Sequence, residues 1–183
     1  MKVFKSKEEM LEWCSRSRVE SNAIAIEFGV YSGYSISIIR NNYIGKVFGF
    51  DSFKGLPEFW RKGYDKGHFK TKSIPNIDGV EMVVGLFQDT LKDFLLNNKS
   101  KINLVHFDAD LYSSTIFCLD AIKDSLSNNC IFIFDEYHNY PSWEDHEYKA
   151  FNEWLSNNKG FCVARIAEVE NDEQVAFEVT ISI

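Results

Sequence analysis

Carboxylates recur where the apolar runs of this sequence end. Glu27 lies in Ala23-Ile-Ala-Ile-Glu-Phe28 and Asp51 closes Val47-Phe-Gly-Phe-Asp51. Asp108-Ala-Asp110 follows Ile102-Asn-Leu-Val-His-Phe107, and Asp135-Glu136 follows Cys130-Ile-Phe-Ile-Phe134. Like charges gathered at one edge repel, so the pattern needs a cation, ligand hydroxyls or protonation to offset it. Three or four convergent carboxylate oxygens are the ligand set of a hard divalent cation such as Mg²⁺. Asp108, Asp110, Asp135 and Glu136 supply that number if their strands are neighbours, and a carboxylate left over, such as Asp110, could act as general base. The plainer reading makes each one a cap for the helix or loop that follows. One aspartate would fit that; two clusters at matching strand ends fit it poorly.

Two further motifs precede these. Glu27-Phe-Gly-Val-Tyr-Ser-Gly33 sets Glu27, Gly29, Tyr31 and Gly33 between a strand and a helix. Glycine permits positive φ and close approach of backbone to a ligand, although an ordinary βα turn carries the same signal. The spacing is not the Gly-x-Gly-x-x-Gly dinucleotide fingerprint, so a ligand without a pyrophosphate fits better. Asp51, followed by Ser52, can accept hydrogen bonds from both hydroxyls of a ribose or cap a turn. His106 sits inside a strand and reads as a packed, hydrogen-bonded residue. His68, and His138 after the fifth strand, are weaker candidates for substrate contact. Phe59, Trp60, Tyr64 and Phe69 could form a lid that orders over a ligand or simply pack the loop that carries them; Tyr140 and Trp143 have the same two readings.

These residues need strands to deliver them. Ser6 and Glu9 read as a capping box for a helix reaching about Arg18. Strands follow at 23–28, 47–51, 80–84, 102–108 and 130–135, separated by helices from Tyr34 to Arg40, Thr90 to Asn97 and Ser113 to Ser125. A helix over Trp143–Leu155 and a hairpin of strands Phe161–Val169 and Gln174–Ile183, turned at Glu170-Asn-Asp-Glu173, complete the chain. Alternating β and α with near-continuous apolar strands implies an α/β fold with a parallel sheet covered by helices on both faces. Ligands of such sheets bind beyond the carboxyl ends of the strands, which is where the carboxylates stand. Residues 52–78, with two of the three prolines, read as a long loop with room for one short helix.

The chain has 183 residues, 45% of them hydrophobic and 15% aromatic, enough for one full core and too rich in aromatics for a disordered chain. No linker or repeat divides it, so residues 1–183 are expected to form a single domain. The net charge of −7 argues against a general nucleic-acid binder. Cys14, Cys118, Cys130 and Cys162 form no metal-type pair; buried free thiols suit a reducing, cytoplasmic setting. No apolar run approaches the ~20 residues of a membrane span, and the charged start Met1-Lys-Val-Phe-Lys-Ser-Lys-Glu-Glu is unlike a signal peptide.

The sequence resembles the macrocin O-methyltransferase-like (TylF-like) family of class I S-adenosylmethionine-dependent methyltransferases. The resemblance is carried by Glu27-Phe-Gly-Val-Tyr-Ser-Gly33, Phe50-Asp-Ser-Phe-Lys-Gly-Leu-Pro57, Gly85-Leu-Phe-Gln-Asp-Thr-Leu91, His106-Phe-Asp-Ala-Asp-Leu-Tyr-Ser-Ser-Thr115 and Phe134-Asp-Glu-Tyr137, in family order, over residues 23–155. It implies a Rossmann-like, doubly wound, seven-stranded sheet with the last strand antiparallel. It implies that Glu27–Gly33 lies beside the methionine part of the cofactor, that Asp51 with Ser52 holds the ribose, that Gly85, Leu86 and Phe87 lie near the adenine, and that Asp108 borders the same site. By the family pattern Asp108, Asp135 and Glu136 look like Mg²⁺ ligands and Asp110 like the base; Glu136 departs from the two aspartates common in relatives. The acceptor would be a hydroxyl of a small molecule, often a sugar or natural product.

Two other functions compete. A strand-end Asp-x-Asp with a metal also suits a glycosyltransferase acting on a nucleotide-sugar, against which the glycine turn and Asp51 argue. A cofactor-binding module without catalysis is the other, against which intact Asp108, Asp110 and Asp135 argue. Only ~22 residues precede the first strand, so no large N-terminal cap is expected. Substrate would be enclosed by the 52–78 loop, by a second copy of the chain in a homodimer, or incompletely.

Overall fold

The side-chain alternation of two strands decides the layering. In β6 (Leu126–Phe134), Ile131 and Ile133 enter one core while Phe132 and Phe134 enter the other; in β5 (Ile102–Phe107), Leu104 parts from Val105 and Phe107 in the same way. Successive strand residues face opposite sides, so an unbroken apolar run must be buried on both. The computed structural model describes residues 1–18 and 20–182, and it provides both covers. On one face α1 (Lys7–Arg16) and α2 (Tyr34–Asn42) contribute Met10, Leu11, Cys14, Ile36 and Ile39. On the other, α3 (Phe87–Asn97), α4 (Tyr112–Ile122) and α5 (Glu147–Asn157) contribute Leu91, Cys118, Leu119, Phe151 and Trp154.

Among the described residues the sheet has eight strands. Besides β5 and β6 they are β1 (Lys2–Phe4), β2 (Ile24–Phe28), β3 (Lys46–Asp51), β4 (Val80–Val84), β7 (Phe161–Val169) and β8 (Val175–Ile181), in the order β1-β7-β8-β6-β5-β2-β3-β4. β8 runs antiparallel to β6 and β7, and the remaining pairings are parallel. The expected parallel core and closing antiparallel strand are present. The eighth strand is a correction: Lys2–Phe4 adds to the sheet edge beside Ala167–Val169. Three half-exposed residues whose partners lie at the far end of the chain carry no local strand signal.

Smaller differences have local causes. Ser6 caps α1, accepting from the Glu9 N–H at 3.3 Å, but the Glu9 carboxylate reaches the N–H of Lys5 rather than that of Ser6. Helix α3 starts at Phe87, a turn before the expected Thr90. The expected 143–155 helix is broken into a single 3₁₀ turn at Trp143–Asp145 and α5 from Glu147, and the expected strand end at Ile183 lies outside the described residues. The 52–78 segment contains no helix, only an isolated bridge between Arg61 and Tyr64. Among the described residues no helix is long and apolar enough to cross a membrane.

Candidate active site

The carboxyl ends of β2, β3, β4, β5 and β6 open onto one cleft of ≈ 290 Å³. The glycine turn forms one wall. Gly29 has φ 90°, and a Cβ there would stand 1.8 Å from the Asp108 carbonyl oxygen, so only glycine allows the β2 and β5 ends to meet. Tyr31 is left-handed as well, at φ 48°. Asp51 holds this turn in place. Its Oδ2 accepts the N–H groups of Val30 (2.9 Å) and Tyr31 (2.8 Å), and its Oδ1 accepts that of Phe53 (2.7 Å). An ionised carboxylate has about four lone-pair sites, so Asp51 retains capacity for one more donor.

Gly29, Tyr31, Asp51, Ser52, Gly85, Leu86, Phe87 and Asp108, all expected at the cofactor, line the cleft together with Asp110, Asp135 and Glu136. Glu27 and Gly33 do not. Gly33 has Ile77 and Pro75 packed against it. Glu27 is fully buried in β2, where the sheet register sets it beside His106; it accepts from Ser35 Oγ at 3.1 Å and meets His106 Nδ1 at 2.9 Å. The other nitrogen of His106, Nε2, lies 3.3 Å from Asp135 Oδ1. Burial opposes a charge on His106, but the hydrogen bonds to Asp135 and Glu27 outweigh it and push the imidazole up to about 10. Thus His106 is the packed, hydrogen-bonded residue the sequence suggested.

Two residues of this cluster carried no signal in the sequence. Lys7, in the first turn of α1, reaches across to β6: its Nζ lies 2.6 Å from Asp135 Oδ2 and 3.7 Å from Asp108 Oδ2. A charged residue beside a helix cap reads as surface, and its partner is distant in sequence. Burial alone would lower the Lys7 pKa, but the charges of Asp135 and Asp108 raise it above the ordinary lysine value. Glu147, the first residue of α5, is also fully buried. Its two oxygens accept the N–H groups of Ala109 (3.4 Å) and Glu136 (3.2 Å).

The carboxylates therefore differ in state. For Asp135, burial is outweighed by the hydrogen bond from His106 and the charge of Lys7, which hold it well below the carboxylate range. Asp108 is pushed up to about 7 by burial and by Asp135. Burial and neighbouring carboxylates raise Asp110, Glu136 and Glu147. Two groupings bring potential ligand atoms within 4.8 Å of one another: His106, Asp108 and Asp135, and Asp108, Asp110 and Glu136. Glu136 Oε2 is buried without a hydrogen-bond partner.

The outer candidates separate. Trp60, Leu56, Leu111 and Tyr140 make a small core of their own, with Tyr64, Phe69 and Trp143 packed on it. Arg61 stacks over Trp60 and Tyr140 and pairs with Glu173 at 3.3 Å. Of these aromatic residues only Phe69 lines the cleft. His68 packs on Tyr64 and Phe69, and His138 meets Arg165 at 2.9 Å, both away from the cleft lining.

The mostly parallel sheet, with its glycine turn and its acidic strand ends around one cleft, has the Rossmann-like fold of solved methyltransferases. Residues 26–137 match the family model Methyltransf_24, a methyltransferase domain, and the chain belongs to that family. No curated protein sequence matches. Among solved structures, the calicheamicin methyltransferase CalS11 aligns with TM-score 0.73 at 22% identity, covering 93% of this chain and 76% of that one. An O-methyltransferase from Bacillus cereus in complex with S-adenosylhomocysteine aligns with TM-score 0.63 at 16% identity, covering 100% and 83%. An rRNA methylase from Streptococcus thermophilus aligns with TM-score 0.61 at 14% identity, covering 98% and 99%.

Proposed function

We propose that this methyltransferase moves a methyl group from S-adenosylmethionine to a hydroxyl of a small molecule, a sugar or natural product, with the help of a divalent cation. The observation that carries the reading is the meeting in one cleft of the glycine turn, Asp51 with an acceptor site to spare, the partly buried carboxylate of Asp108 and the buried ones of Asp110 and Glu136. The cofactor would run from Gly29–Ser32 past Asp51 and Ser52 to Gly85, Leu86 and Phe87. Its ribose would take one oxygen of Asp51, since the other already serves Val30 and Tyr31. Glu27 would act from beneath, by fixing Ser35 and His106. The likeness to a calicheamicin methyltransferase supports a sugar or natural-product acceptor.

S-adenosylmethionine supplies an electrophilic methyl on sulfonium, and in-line positioning then provides much of the rate. Asp110 is the base: its carboxylate is buried at the cleft, grouped with Asp108 and Glu136 where an acceptor hydroxyl would lie. Phe69 and the 52–78 segment would exclude water above it. The orphaned Glu136 oxygen and its neighbours suit a hard cation such as Mg²⁺, which supplies a lowered pKa at the acceptor hydroxyl.

Calorimetry with S-adenosylhomocysteine tests the core of this reading, and the expected result is binding with no binding of a nucleoside diphosphate-sugar in its place. A panel of hydroxylated metabolites with labelled cofactor, run beside ribosomal RNA, tests the acceptor. Label entering RNA alone would overturn the small-molecule reading, and turnover unaffected by EDTA would remove the cation.

A further inference from the structure

One carboxylate beside the acidic cluster does not line the cleft, yet it holds both loops that do. Glu147 is fully buried, on the same face of α5 as Ala150, Phe151 and Trp154, which seat the helix in the core. Leucine at that stripe position would pack there without adding charge to a crowded group. What leucine could not do is accept hydrogen bonds from two separate loops. Glu147 Oε1 accepts the N–H of Ala109, in the Asp108-Ala-Asp110 loop after β5, and Oε2 accepts that of Glu136, in the loop after β6. Among the described residues neither N–H has another acceptor, and a buried donor left unpaired is costly. The adjoining N–H groups are held by the sheet instead: Asp108 donates to the Phe28 carbonyl and Asp135 to that of Phe107, each at 2.9 Å. The backbone beyond Ala109 also needs support. The Ala109 carbonyl accepts the N–H of Leu111 at 2.6 Å, closing a three-residue turn with Asp110 at its centre, left-handed at φ 61°. Such backbone persists where its surroundings over-determine it. Leu111 is fixed on one side by its small core with Trp60 and Tyr140, and Ala109 on the other by Glu147.

We propose that Glu147 is a positioning residue for methyl transfer: by tying Ala109 to Glu136 it sets the separation of the two acidic loops, and so places Asp110 and Glu136 at the cleft. This role rests on the methyltransferase reading above. Glu147 acts through the backbone of the loops, not by touching cofactor or acceptor. Two substitutions separate span from charge. Glu147→Gln keeps one acceptor oxygen and sets an amide NH₂ against the other N–H. Glu147→Asp keeps the charge but is a methylene too short to reach both loops. A role through charge alone would survive in Glu147→Asp; a role through the span is lost in both.

Amide hydrogen exchange followed by NMR tests the span without turnover. In the wild-type protein the Ala109 and Glu136 amides should exchange slowly. In each variant at least one of them should exchange at least about tenfold faster, while the Asp108 and Asp135 amides keep their protection. General loosening would speed all four alike and overturn the proposal. Fast exchange of Ala109 and Glu136 in the wild-type protein would overturn it too, and that measurement decides should neither variant fold. Turnover of a methylated member of the hydroxylated panel tests the consequence. In both variants kcat should fall about 10- to 100-fold, the scale of a lost outer hydrogen-bond partner, with KM for S-adenosylmethionine within about threefold. Wild-type kcat in Glu147→Asp would overturn the proposal; where no panel member is methylated, exchange decides alone. S-adenosylhomocysteine binding in the same samples separates the two readings. If it binds while exchange or kcat does not respond, only the role of Glu147 falls; if it does not bind the wild-type protein, the methyltransferase reading falls.

Discussion

The two walls of the cleft are built on opposite principles. The wall made by the ends of β2, β3 and β4 is satisfied: Asp51 accepts three backbone N–H groups, and Gly29 gives the close approach that the Asp108 carbonyl requires. The wall made by the ends of β5 and β6 is unsatisfied: Asp108, Asp110, Asp135, Glu136 and Glu147 crowd together beside Lys7 and His106, and Glu136 Oε2 is buried without a partner. Backbone geometry makes the first wall; charge makes the second. A fixed wall suits a ligand bound in one conformation. An unsatisfied wall suits a site whose charge balance is completed on binding, because preorganised groups then lose little on reaction. The two should respond oppositely to substitution, the first losing stability and the second losing function.

Gly29→Ala should have the largest effect. The methyl would overlap the Asp108 backbone at 1.8 Å in a left-handed conformation, so a loss of more than about 4 kcal/mol is expected, read by urea denaturation. A mild loss would mean that the β2 turn is less fixed than its geometry. Asp110→Asn belongs to the other wall. Asparagine tolerates φ 61°, so the fold should keep or gain stability, by about 1 kcal/mol, while turnover falls at least about 100-fold and S-adenosylhomocysteine affinity stays within about threefold. Equal turnover would remove Asp110 as base. Asp51→Ala should come next, costing about 3 kcal/mol in the same denaturation experiment because three backbone donors lose a charged acceptor. Wild-type stability in that variant would break the contrast from the satisfied side.

The two walls also differ in how far the sequence displays them. The strands behind both were legible, because doubly buried strands are continuous apolar runs: β5 and β6 stand out as Ile102–Phe107 and Cys130–Phe134. The cleft residues were legible too, since glycine at a turn and carboxylates at strand ends are local signals. Partnership was not. Glu27 reads as part of the glycine turn, yet its position in the strand sends it under the sheet to His106, and only the β2–β5 register reveals that. Lys7 meets Asp135 across 128 residues, a contact no local pattern encodes. Glu147 sits in a stretch of mixed polarity whose helix begins only after a left-handed Ser142, so its inward aim depends on where α5 starts. Sequence reading therefore found the strand-end carboxylates and missed Glu147 and Lys7, which meet them.

The smallest expected effect is a pH dependence of stability in protein free of divalent cations. Asp108 titrates near 7 in the fold and near 4 in an unfolded chain, and His106 near 10 against about 6.5. Both folded values are raised, so at intermediate pH the folded state binds protons that the unfolded chain has released. Their contribution is fully present below the unfolded values and is lost as pH rises, between about 4 and 7 for Asp108 and between about 6.5 and 10 for His106. Asp135, held low, gives stability that is already complete above pH ~4 and does not change across the neutral range. The melting temperature should thus fall by several degrees between pH ~6 and ~9. Mg²⁺ should reverse part of the fall, and more of it at the higher pH, because protons and cation compete for the same oxygens. A melting temperature that is flat or rises over this range would mean that the second wall carries no excess of carboxylate charge, and the contrast between the walls would collapse into a difference of shape alone.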